Sequence, residues 1–139
     1  MRDQIELHDS NAVFSYLDHA VVIEMCPAYV HHWELIDGNW VGTGRLQAAR
    51  MVVSGVFREP VIPSEQVELS GGVAHCGAKA FSNLIPVPFH DDGAVRLSLE
   101  VEMADPLDLA GTGFTAELVG DWQEIESLPG EWAPSGGVG

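Results

Sequence analysis

The stretch AVRLSLEVEM, residues 94–103, settles the class of fold. Val95, Leu97, Leu99, Val101 and Met103 share one side, and Arg96, Ser98, Glu100 and Glu102 share the other. Apolar and polar residues alternating with period two describe an antiparallel strand with one face buried and one wet. Asp91-Asp92-Gly93 precedes it as a turn, so PVPFHDDGAVRL (86–97) reads as strand, turn, strand. Asp105-Pro106 closes it on the other side and makes 94–118 a hairpin. In LDLAGTGFTAELVG (107–120) the apolar positions change parity, from Leu107 and Leu109 to Phe114, Ala116 and Leu118. One inserted residue does this, which predicts a β-bulge at Gly111-Thr112-Gly113.

The same reading extends in both directions. DHAVVIEMCP (18–27) alternates, with His19, Val21, Ile23 and Met25 opposite Asp18 and Glu24. GRLQAARMVVSGVF (44–57) contains helix formers but no cap, and its VVSGVF half is β-rich, so it reads as one long strand. EQVELSGGVAHCG (65–77) reads as two short strands joined by Gly71-Gly72. Turn signals recur roughly every 8–12 residues, and no helical crossover is present, which excludes an α/β fold. The expected architecture is all-β: a single antiparallel β-sandwich or flattened barrel over 1–126, then a loosely ordered tail at 127–139.

A chain of 139 residues, 46% hydrophobic, is the size of one domain and can build a core without staples. Its apolar runs are too short to span a bilayer, and MRDQIELHDS (1–10) has no apolar signal region. A cytoplasmic protein is expected. Cys26 and Cys76 form no CxxC, so free thiols are expected, with one disulfide as the alternative.

Charge is the strongest global feature. Six basic residues face twenty-one acidic ones, a net −15. Nine acids and no Lys or Arg follow Arg96. Such a surface repels nucleic acid and anionic lipid and attracts cationic partners.

Little points to catalysis. In VHHWELIDGNW (30–40) the neighbouring histidines of a strand diverge, so His31 and His32 read as strand-edge residues before the Asp37-Gly38 turn. A metal would have to draw on His8, Asp9, His32 and His90, yet no HxxxH or CxxC spacing supports one, and no cofactor is expected. No GxSxG occurs, and Cys76 beside His75 has no cation to lower its pKa.

Three segments carry a resemblance: IELHDS (5–10), NLIPVPF (83–89) and GTGFTAELVG (111–120). Together they resemble small bacterial β-rich proteins of unknown function that open with a His-Asp-Ser motif, over roughly residues 5–126. The resemblance implies a compact β fold in a bacterial cytosol, supplies no catalytic residue, and singles out His8, Asp9, Asn83 and Phe89. The Asp9 side chain is expected to accept backbone N–H bonds in a turn at Ser10-Asn11.

The functional expectation is a non-enzymatic binding module whose acidic surface engages a cationic protein, in the manner of an immunity protein or antitoxin. Trp33, Trp40, Glu100 and Glu102 are the expected contacts. The alternatives are a metal-dependent enzyme with a histidine-centred site and a small-molecule binder using the apolar interior. Homodimerisation through a strand edge is also expected to be possible.

Overall fold

The computed structural model describes residues 1–134. Its elements are strands β1 (Arg2–Glu6), β2 (Asn11–Leu17), β3 (Ala20–Ile36), β4 (Asn39–Ser54), β5 (Val67–Cys76), β6 (Lys79–Ser82), β7 (Leu84–Val87), β8 (Phe89–Asp91), β9 (Val95–Val101), β10 (Leu107–Gly111) and β11 (Gly113–Leu128), then a 3-10 turn at Gly130–Trp132. All pairings are antiparallel, in the order β10-β9-β5-β2-β3-β4-β11-β8, with β1 on β3 and β7, and β6 on β5. The fold is therefore all-β, and the sheet is not closed into a barrel. It encloses one core, to which Ile23, Met51 and Phe114 contribute from one side and Leu69, Leu97 and Leu109 from the other.

The founding alternation holds: Val95, Leu97, Leu99 and Val101 are buried, while Arg96 and Glu100 are exposed. Met103 lies past the strand at φ 58° and is 98% exposed, so it leaves the apolar face to which its parity assigned it.

β3 is the spine. β1 and β2 lie end to end along one of its edges, and β4 lies along the other. At Cys26-Pro27 the register against β4 shifts, since proline offers no ladder N–H. Opposite that shift the chain leaves β1, turns through Leu7–Ser10 and enters β2. Ser10 is fully buried there: its hydroxyl donates to the Glu6 carbonyl (2.6 Å) and accepts from the Tyr29 amide (3.0 Å). Asp9 takes φ 71° and its carboxylate meets His8 Nδ1. The residue that ties down the backbone is thus Ser10 rather than Asp9.

Several local expectations change. The hairpin at 86–97 does not form; β8 pairs with β11, and β9 pairs with β5 and β10. The 94–118 hairpin ends at Gly111, opposite Val95. Gly113 then opens β11 opposite Ser54 of β4, and Thr112 N–H donates to the Ser54 carbonyl. The parity flip therefore marks a strand exchange rather than a bulge: Leu109 and Phe114 enter the core from different partners. Gly71-Gly72 is no turn either. It lies inside β5, where the register against β9 shifts between Leu69 and Gly71. Asp18 and His19, both at positive φ, form the tight turn of the β2–β3 hairpin, which removes His19 from the strand. Asp37-Gly38 does form the expected turn between β3 and β4. β11 runs past residue 126 to Leu128, which is buried; the tail at 135–139 lies outside the described residues.

Candidate functional site

His31 and His32 are not strand-edge residues. β1 and β4 flank them, and both are buried. His32 sits between Asp3 (Nδ1···Oδ1 2.5 Å) and Glu34 (Nε2···Oε1 3.1 Å), and His31 Nε2 meets Glu6 Oε1 at 3.2 Å. Tyr29, His31 and Trp33 point to the face opposite Val30. Gly42 and Gly44, their cross-strand neighbours on β4, leave room for the rings: a Cβ on Gly42 would collide with the Trp33 indole, and one on Gly44 with the Tyr29 ring and hydroxyl. The Tyr29 hydroxyl hydrogen-bonds Glu126, and the Trp132 ring stacks on His31 at 6.1 Å and 14°. Burial first, then the Glu126 bond and the surrounding carboxylates, push the Tyr29 phenol well above its usual range. This second packed layer leaves Trp33 0% exposed, which removes it from any partner surface. Trp40 is half-buried, with Arg2 5.8 Å from its ring centre.

The four candidate metal ligands do not come together. His32 is held by Asp3 and Glu34, and His90, at the surface, pairs with Asp92 at 2.7 Å. His8 and Asp9 do meet, and Glu6 joins them within 4.8 Å, mostly exposed. Cys26 is exposed, Cys76 is buried, and both are free. Desolvation, then Asp91, pushes the Cys76 thiol upward, against thiolate chemistry.

Two features of the surface stand out. The first is the edge of β11. Its ladder to β4 runs to Leu128, but β8 covers its other side only at Phe114–Ala116. From Glu117 onward that side is unpaired among the described residues, and it carries Glu117, Asp121, Glu124 and Glu126 with no Lys or Arg. Val119, Trp122 and Ile125 are exposed along it, and the Arg45 guanidinium sits 3.5 Å from the Trp122 ring centre. Sequence reading missed this edge because β11 exceeds its apolar pattern: its second half is exposed on both faces.

The second is a groove of about 430 Å³ on the outer face of β5 and β9. His8, Ser70, Ser82, Asn83, Ser98 and Glu100 supply its polar groups. Asn83 takes φ 62° and accepts the His8 N–H on its side-chain oxygen (2.9 Å) and the Leu7 N–H on its carbonyl (2.8 Å). The His-Asp-Ser and Asn-x-Ile-Pro segments therefore meet in space. Phe89, the fourth position singled out, packs between Phe81 and Phe114 in a structural role. Glu102 is exposed beyond the end of β9.

The molecule is thus an all-β domain with an open acidic edge and a polar groove. No family model, curated protein or solved structure matches the chain. None of the described helices is long and apolar enough to cross a membrane.

Proposed function

We propose that this chain is a non-enzymatic binding module, cytoplasmic in location, that docks a cationic protein segment along the free edge of β11. One observation carries the reading: Glu117–Leu128 presents unpaired backbone groups and four carboxylates with no Lys or Arg of its own, and only Arg50 and Arg45 of β4, opposite Glu117 and Glu124, offset that charge. An open edge accepts an added strand through main-chain hydrogen bonds, while the side chains choose the partner. Lys or Arg on the incoming strand would meet Glu117, Asp121 and Glu124, and apolar residues would meet Val119, Trp122 and Ile125. Long-range attraction to a −15 molecule accelerates that encounter. A second copy offering the same edge would set carboxylate against carboxylate, so a cationic partner is favoured over a homodimer.

The test is capture from the host lysate at low and high ionic strength, beside the D121K/E124K variant. A basic protein held at low salt, released at high salt and lost in the variant supports the reading. Hydrogen exchange should then slow at Glu117–Leu128 in the complex. Capture unaffected by salt or by the two charge reversals sinks it.

A further inference from the structure

We infer that the groove between the Leu7–Ser10 turn and the outer face of β5 and β9 is a binding site for a small primary-amine cation. This inference is independent of the β11 edge, which belongs to other strands. The groove, at about 430 Å³, falls within the size range of small-ligand sites.

Its opening depends on the irregularity in β5. The register shift between Leu69 and Gly71 sets Gly71 at φ 152°, and a Cβ there would lie 3.3 Å from Glu100 Oε2. A side chain at position 71 would thus crowd the carboxylate that lines the groove. Displacements of this kind in a strand re-aim side chains and recur beside binding sites.

The polar groups match an ammonium. Glu100 forms no ion pair among the described residues, whereas Asp108, on the neighbouring strand β10, is neutralised by Arg96. Ser70, Ser82 and Ser98 line the same groove, and each hydroxyl oxygen can accept a hydrogen bond from an N–H group, that of Ser98 while it donates to Asp108 Oδ1. His8 turns Nδ1 toward Asp9 (3.0 Å), which leaves Nε2 as a further polar contact. Asn83 has its oxygen committed to the His8 amide, so its NH₂ remains to donate to a hydroxyl or carbonyl elsewhere on the ligand. No Lys or Arg lines the groove, so an anion would meet the Glu100 carboxylate with no fixed positive charge to offset it. The expected ligand therefore carries one ammonium for Glu100 and a hydrogen-bonding group for Asn83 and the serines.

The probe is 4-amino-1-butanol, with 1,4-butanediol as its uncharged counterpart, followed by amide chemical shifts of the full chain in moderate salt. Saturable shifts at residues 70–73, 82–83 and 98–100 with the amino alcohol, and none with the diol, are the expected result. E100Q should weaken binding about tenfold. E102Q removes the same charge from a residue just outside the groove and should change it little. G71A provides a second, steric test, since it should weaken the amino alcohol with Glu100 still in place. Shifts scattered along the acids of β11, equal weakening by E102Q and E100Q, or no saturable shift overturn the inference.

Discussion

The Ser10 hydroxyl completes the hydrogen bond that the Tyr29 amide does not find in the β-ladder. It does so at the point where β1 and β2 separate, and it caps the Glu6 carbonyl at the same time. Replacing Ser10 by Ala strands a buried N–H and a buried C=O together. We expect a loss of about 1–3 kcal/mol, read as a lower urea midpoint with an unchanged m-value. Wild-type stability in S10A would show that water or another group serves Tyr29.

Gly42 is required by the indole beside it. Any Cβ at that position would meet Trp33, which is wholly enclosed and cannot retreat to solvent. G42A should cost about 1–3 kcal/mol and shift the near-ultraviolet circular dichroism of the tryptophans. G38A, where nothing lies within 4 Å of a Cβ but φ is 81°, tests the other penalty: strain without collision.

Asn83 serves in two ways that substitution can separate. N83G keeps the left-handed backbone and loses the bond to the His8 amide, for about 1 kcal/mol. N83A loses the bond and also strains the backbone, so it should be the less stable of the two by about 1 kcal/mol. Equal denaturation midpoints would refute the backbone part of this assignment.

Asp108 supplies a pH test. The Arg96 hydrogen bond, helped by that from Ser98 and by the guanidinium charge, holds its carboxyl below the usual range against the opposing pull of desolvation. A depressed carboxyl contributes stability above its unfolded pKa, and that contribution is lost as pH falls through the folded value. R96Q should raise the Asp108 midpoint in a carboxyl ¹³C titration and flatten the acid limb of stability around it. Because both side chains are exposed, the change in overall stability should be small.

The two thiols should react in sequence. Exposed Cys26 should take up a maleimide or Ellman's reagent rapidly, and buried Cys76 only as the domain opens. C26S should abolish the fast phase and C76S the slow one. A fast phase surviving in C26S contradicts the burial of Cys76.

Strand character was legible wherever one face packs and the other is wet, as in Val95–Val101. Pairing was not. Composition at 86–97 cannot reveal that β8 joins β11, a partner more than twenty residues downstream. The Gly111-Thr112-Gly113 parity change was visible, but a bulge and a strand exchange leave the same trace in sequence. His31 looked like an edge residue and Trp33 like a partner contact because the layer that covers them is contributed by Glu126, Leu128 and Trp132, far along the chain. His8 and Asn83 were singled out on two distant segments, and only the fold shows one hydrogen-bonding to the other. Glu100 was picked out as a partner contact, while the groove it lines depends on an irregularity in β5 that was read as a turn.

The pairing of β4 with β11 has a consequence during synthesis. β4 emerges from the ribosome early and bonds β3 at once through the Asp37-Gly38 turn. Its other margin, which runs from Gly42 to Ser54 and buries Ala49, Met51 and Val53, waits for β11, made long afterward. Throughout that interval the nascent chain displays an apolar template for strand addition, the situation in which chaperones engage and neighbouring nascent chains stick together. Arg45 lies on that waiting strand and gives it one of the protein's few positive charges, whereas Arg50 already bonds Glu24 of β3. On a polysome Arg45 would repel its counterpart on a neighbouring copy until the acidic final strand arrives to lie opposite it.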